Sequence, residues 1–192
     1  MPNAMPSSTN LRQRLGANEA RLCLRANALC ERDAVHAYFA TVSRLGDGVF
    51  WYLLMAGFVL AGLLRGREAW GVGVAAHLAV TGVAALTLYK GLKRWTRRPR
   101  PCAADARIRA RVAPLDEFSF PSGHTLHAVA FTAVALAHAP ALAWLLLPFA
   151  ASVAVSRVVL GLHYPSDVIA ATGIGAALAW ASCLGFDRLL PA

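Results

Sequence analysis

The chain has 192 residues, 57% of them apolar and only 15% charged, with 19 Lys and Arg against 10 Asp and Glu for a formal net charge of +9. An ordinary soluble domain carries about a quarter charged residues, and a chain of this length cannot wrap several all-apolar helices in an amphipathic outer layer. Composition therefore excludes a conventional soluble enzyme and points to a chain that uses the lipid bilayer as solvent.

In chain order, residues 1–10 (MPNAMPSSTN) are rich in Pro, Ser and Asn and are expected to form a disordered tail. Residues 11–47 turn helical in character: Val35, Tyr38, Phe39, Val42 and Leu45 recur at helical spacing, with Arg32, His36 and Arg44 off that stripe. Such an amino-terminal amphipathic helix either lies in the headgroup plane or packs against the bundle. A membrane domain, 48–192, follows. Its blocks 49–64, 69–89, 125–139, 141–162 and 168–186 are nearly free of charge, Arg157 being the main exception. The predicted fold is all-α, a polytopic transmembrane bundle of about five spans, some short enough to borrow flanking residues. Residues 1–26 lack the apolar core of a signal peptide, so the first span is expected to act as its own insertion signal. Cys23, Cys30, Cys102 and Cys183 show no metal-type spacing and are expected to behave as small hydrophobes.

The connections are short (RGRE at 65–68, a turn at Pro140, GLHYPS at 161–166) except for 90–122, where Pro99, Pro101, Pro114 and Pro121 interrupt any helix. Counting five crossings puts the end of the second span, the start of the third, the end of the fourth and the start of the fifth on one membrane face. The polar residues of chemical interest converge there. Lys93, Arg97, Arg98 and Arg100 surround the exit of the second span; taken alone, such a basic run is a headgroup-contacting face. Arg157 interrupts an apolar helix near its end, where a guanidinium either snorkels or meets an anion in a cavity. His163 and Asp167 are four apart, and Pro165 lets them meet across a turn rather than along one helix face. A carboxylate on one ring nitrogen fixes the tautomer and leaves the other free to attack an electrophile.

FPSGH, residues 120–124, reads at its simplest as a capping turn. Beside those cations it reads further: a helix start presents unpaired NH groups, so Ser122 and Gly123 can cradle a phosphate, with His124 alongside as acid or base. A metal site is the competing reading, since His124 and His127 share a helix face and His163 and Asp167 add ligands. Lys93, Arg100 and Arg157 in the same place suit an oxyanion instead, so no metal and no cofactor is expected. His36, His77, His127 and His138 are expected to pack or to lie at the interface.

Lys93, six residues, then Arg100 and Pro101; PSGH at 121–124; and Ser156, Arg157, five residues, His163, three residues, Asp167 together resemble the three-part signature of the type 2 phosphatidic acid phosphatases, over residues 69–187. These are membrane lipid phosphatases whose site is shared with glucose-6-phosphatase and the vanadium haloperoxidases. The resemblance implies that His163 is a nucleophile forming a phosphohistidine, that Asp167 orients it, and that His124 protonates the leaving group and then activates water. It implies that Lys93, Arg100, Ser122, Gly123 and Arg157 bind phosphoryl oxygens. Many bacterial members have six spans, whereas residues 27–47 carry too many charges to form a sixth here.

The expected function is metal-free hydrolysis of a lipid phosphate or diphosphate of the phosphatidic acid, phosphatidylglycerol phosphate or undecaprenyl diphosphate class. The alternatives are a lipid phosphotransferase with an alcohol acceptor and a non-catalytic lipid-binding protein. The partners expected are the bilayer and the lipid substrate, not nucleic acid, with no expectation for oligomeric state. The expected location is the bacterial cytoplasmic (inner) membrane. Only Arg65, Arg67 and Arg188 fall on the face opposite the motifs, so the positive-inside rule places the catalytic face in the cytoplasm.

Overall fold

In the computed structural model, which describes residues 8–189, regular structure among the described residues is entirely helical. The order is α1 (Ser8–Ala28), a 3-10 turn (Leu29–Glu31), α2 (Asp33–Gly46), α3 (Val49–Leu64), α4 (Glu68–Thr96), α5 (Pro101–Ala104), α6 (Gly123–His138), a second 3-10 turn (Pro140–Leu142), α7 (Ala143–Val159) and α8 (Pro165–Leu189). The helical membrane bundle expected from hydropathy is the fold the chain adopts. Residues 8–10, expected in the tail, are instead the first turn of α1; residues 1–7 lie outside the described residues. α4 runs on to Thr96, so the connection that was expected to begin at residue 90 begins one to two turns later.

Span length departs from the expectation of five. Glu68–Ala104, Pro140–Val159 and Pro165–Phe186 are long and apolar enough to cross a bilayer. α3 reaches that length only together with α2, across a 53° bend. α6 has 16 residues, short of the roughly 20 a lipid-facing span needs. Its position explains this: α6 packs against α4, α7 and α8, and Leu126, Ala128, Val134 and Ala135 are fully buried. A helix sheathed by other helices is solvated by protein and need not match the bilayer.

The core gathers Trp51 and Phe58 of α3, Val74 and Leu78 of α4, Phe131 and Val134 of α6, and Leu146 and Val153 of α7. α8 approaches α6 closely at Gly175, where an added Cβ would lie 2.7 Å from the Leu126 carbonyl oxygen. Small residues permit such backbone approach between membrane helices. The approach joins the two amino-terminal ends: Ser122 N donates to the Asp167 carbonyl oxygen at 3.3 Å.

α2 packs against α7, with Val42 buried and the Tyr38 hydroxyl 3.0 Å from Ser152 Oγ. Asn27 ties α1 to the polar connection. Its amide donates to the Arg109 and Val159 carbonyl oxygens at 2.9 and 3.0 Å, and its oxygen accepts from Arg109 N at 2.9 Å. Gly161, at φ 75°, makes the turn from α7 to α8; a Cβ there would meet the Arg109 carbonyl oxygen at 2.6 Å.

Candidate active site

Helix ends bring the polar residues to one face. Lys93 lies in the last turn of α4 and Arg100 just before α5. Gly123 and His124 open α6, Arg157 lies in the last turn of α7, His163 sits in the turn before α8, and Asp167 is in its first turn. Lys93, Arg100, Gly123, His124, Arg157 and His163 line one cavity of about 400 Å3. Its other arm is apolar, walled by Trp51, Met55, Val83, Leu86 and Phe131, and reaches the outer surface between α3 and α4, where Tyr52 and Val83 are exposed.

His163 is 1% exposed. Arg100 Nη1 lies 3.3 Å from its Nε2 and can only donate, so the Nε2 lone pair accepts and the ring hydrogen sits on Nδ1. Nδ1 faces Asp167 Oδ2 at 3.7 Å, beyond hydrogen-bond range, and makes no other hydrogen bond. Burial first, then the charges of Arg157, Arg100 and Lys93, hold the His163 pKa well below the ordinary histidine value. The result is a neutral imidazole with its lone pair among cations, which suits attack on a phosphoryl centre.

Arg157 is 2% exposed. Nη1 donates to Ser43 Oγ, and Nε has no acceptor. A buried guanidinium NH without a partner is costly, and a phosphoryl oxygen would satisfy it. Lys93 Nζ and Arg100 Nη2 both donate to Asp116 Oδ1, at 2.6 and 2.7 Å. Burial pushes the Asp116 carboxyl up, but Lys93 and Arg100 outweigh it and hold the group below its usual value. His124 Nε2 contacts Asp47 Oδ1; a carboxylate only accepts, so Nε2 carries hydrogen. Ser122 alone among the expected phosphate ligands is turned away from the cavity. It is fully buried, and its hydroxyl caps α6 through Thr125 N and Thr125 Oγ1.

A profile of the PAP2 superfamily matches residues 70–190. The chain belongs to the PAP2 superfamily. Its relatives include a decaprenylphosphoryl-5-phosphoribose phosphatase of Mycobacterium tuberculosis, 33% identical over 154 residues, covering 78% of this chain and 80% of the relative. The Mycolicibacterium smegmatis protein of the same name is 36% identical over 146 residues, 74% of each chain. A PAP2-type phosphatidylglycerolphosphate phosphatase from Bacillus subtilis superposes with a TM-score of 0.70 at 25% identity, covering 92% of this chain and 88% of its own. Aquifex aeolicus LpxE shares the fold, with a TM-score of 0.69 at 23% identity over 85% and 93% of the two chains. This PAP2 protein is a membrane phosphatase, a phosphoric ester hydrolase.

Sequence reasoning missed Asp47 and Asp116, the acidic partners of His124 and of Lys93 with Arg100. Asp47 stands alone between two glycines and Asp116 is followed by Glu117, neither in a motif, and only the excess of cations facing them could have drawn attention to them. Arg98, read from the sequence as part of the basic run at the exit of the second span, lies behind the His163–Asp167 pair. Its Nη1 donates to Asp167 Oδ1 and Ser166 Oγ, both at 2.7 Å, and its Nη2 to Glu19 Oε2 at 2.8 Å, while it stacks on Tyr164. Glu19 also accepts from Ser166 N at 2.9 Å, so α1 braces the start of α8. Cys23, its thiol raised by burial to about 12, packs against the His163 carbonyl oxygen and remains a small hydrophobe.

In this PAP2 enzyme Arg98 is expected to be a positioning residue. Arg98→Gln should lower kcat about tenfold while KM stays within about twofold, because the aim of His163 changes and the phosphoryl ligands do not. Glu19→Gln should follow in milder form. Steady-state kinetics beside thermal melts check this; equal loss in kcat/KM and melting temperature with kcat preserved at low temperature would leave Arg98 a purely structural tie.

Proposed function

We propose that this PAP2 phosphatase removes the terminal phosphate of a lipid-anchored phosphomonoester, through a phosphohistidine at His163 and without a metal ion. The observation that carries this reading is a single cavity with two ends. One holds the His163 lone pair among Lys93, Arg100 and Arg157; the other is apolar and reaches the lipid-facing surface. A headgroup phosphate can enter while its tail stays in the bilayer.

His163 Nε2 attacks phosphorus, the bond to the leaving oxygen of the lipid-anchored group breaks, and His124 gives that oxygen its proton. Water then attacks, the N–P bond breaks with its electron pair returning to Nε2, and His124 takes the water's proton. Fixed cations and the NH groups at the start of α6 stabilise the charge on the equatorial oxygens, the role a metal serves in other phosphoryl-transfer enzymes. The mycobacterial relatives direct the choice of first substrate: a polyprenylphosphoryl sugar phosphate, ahead of phosphatidylglycerol phosphate, phosphatidic acid and undecaprenyl diphosphate.

The test is phosphate release by purified enzyme in detergent from this panel, with and without chelator and with vanadate. Release is expected to survive chelation and to fall with vanadate, which can mimic five-coordinate phosphorus. Activity lost to chelator and restored by magnesium or zinc would overturn the metal-free mechanism, and no release from any lipid would overturn the substrate class.

Charge asymmetry supports a cytoplasmic catalytic face, since Arg65 and Arg67 sit in the α3–α4 turn at the end remote from Lys93. With native cysteines replaced, Gly66→Cys should react with an impermeant thiol reagent in intact cells and Ala104→Cys should not. The reverse pattern would place the site outside.

A further inference from the structure

A second cavity, of about 140 Å3, adjoins the first. Ser43 and Arg44 of α2 and Ala113 of the polar connection form its own walls, and it shares Asp47, His124 and Arg157 with the main cavity. Arg44, Asp47 and Ala113 are exposed, whereas Ser43 and Arg157 are buried, so the space runs from solvent to Ser43 and to the Arg157 guanidinium of the main cavity. The buried guanidinium that divides the cavities holds Ser43 with Nη1 and has no acceptor on Nε.

The two products of the reaction have opposite solubilities. The lipid alcohol belongs in the bilayer and can retreat along the apolar arm between α3 and α4. Inorganic phosphate is a hydrated anion: moving it past Met55, Val83 and Leu86 would strip its water with nothing to replace it, and the main cavity's own exposed rim at Asp116 sets a carboxylate in its way. The water of the second step meets the same difficulty in reverse while the alcohol occupies that arm.

We propose that the small cavity is the aqueous door of the site: water reaches the phosphohistidine through it, and inorganic phosphate leaves through it past Arg44. This rests on the phosphohistidine reading and adds a route to it. Arg157 faces both spaces, so a departing phosphate can pass from its guanidinium to that of Arg44 without losing cationic contact, and the exposed Arg44 also draws anions from solution.

The door separates two measurable half-reactions. Release of lipid alcohol in a rapid-quench burst uses the apolar arm only. Exchange of oxygen-18 between inorganic phosphate and water reports on the door: phosphate enters, an oxygen leaves as water protonated by His124 as the bond to Nε2 forms, and solvent water reverses the step. Ala113→Trp and Ala40→Trp, the latter at a further α2 residue of the small cavity's wall, put an indole into a space little larger than the ring. They are expected to leave the burst rate within about twofold of wild type while slowing oxygen exchange and steady-state turnover about tenfold or more. Phosphoenzyme should accumulate in them.

Arg44→Glu, at an exposed position that tolerates change, is expected to slow exchange at low phosphate and to weaken its dependence on salt, again sparing the burst. Burst and exchange falling together in the tryptophan variants, with Arg44→Glu exchanging like wild type, would overturn the door. So would exchange unaffected in all three. A wild-type enzyme with neither burst nor exchange would instead overturn the phosphohistidine reading, and the door with it.

Discussion

His163→Ala is expected to lower kcat by at least about ten-thousand-fold and to abolish any acid-labile phosphoenzyme, because it removes the atom that forms the covalent bond. The geometry makes the prediction sharper than a generic loss of activity. Arg100 donates to Nε2, so the proton is on Nδ1 and the lone pair faces the cations. The depressed pKa of His163 means that protonation does not remove this lone pair until the pH is well below the ordinary histidine range. Trapped phosphoenzyme should therefore still form at pH values where a solvent-exposed histidine is already charged, about pH 5.5 to 6. His124→Ala should behave differently. It keeps the nucleophile and loses the proton donor, so a substrate with a good leaving group should still phosphorylate His163 slowly and then stall, since no base remains to activate water. Rapid-quench trapping with radiolabelled substrate distinguishes the two variants. Label retained on the His163→Ala protein would assign the nucleophile elsewhere.

The placement of the site was legible in the sequence because it depends on helix ends. Long apolar runs announce helices, proline and glycine announce their limits, and the parity of crossings then brings Lys93, His124, Arg157 and His163 to one face with no knowledge of packing. What stayed illegible depends on contacts between distant segments. Asp47 meets His124 and Glu19 meets Arg98 through the packing of α1 and α2 on the bundle, and neither acid carries a periodic or motif signal of its own. Ser122 shows the converse limit. Its type and position suit both a phosphate ligand and a helix cap, and only the direction of its hydroxyl, toward Thr125, separates the two. The shortness of α6 was legible in the sequence and its cause was not: hydropathy measures a helix against lipid, and this one is surrounded by protein.

Arg157→Lys is expected to be nearly as damaging as Arg157→Ala, each lowering kcat/KM about a hundred- to a thousand-fold, the range for losing a preorganised donor to a transferring group. Charge alone would predict otherwise, since lysine keeps it. The difference lies in the number and direction of NH groups. Arg157 spends Nη1 on the Ser43 hydroxyl, which pins the guanidinium plane, and still has Nε and further NH groups to offer phosphoryl oxygens. A lysine has one nitrogen on a flexible stem. If it holds Ser43 it is not aimed at phosphate, and if it reaches phosphate it is no longer anchored. Ser43→Ala isolates the anchoring part of this argument: with the fork intact but unpinned, kcat/KM should fall by about tenfold or less. Initial rates on the best lipid substrate, with vanadate affinity as a measure of five-coordinate binding, separate these cases. Retention of most of the wild-type rate and vanadate affinity by Arg157→Lys would reduce Arg157 to a point charge. Loss in Ser43→Ala as large as in Arg157→Ala would mean that the hydroxyl itself, and not the guanidinium it holds, contacts the phosphoryl group.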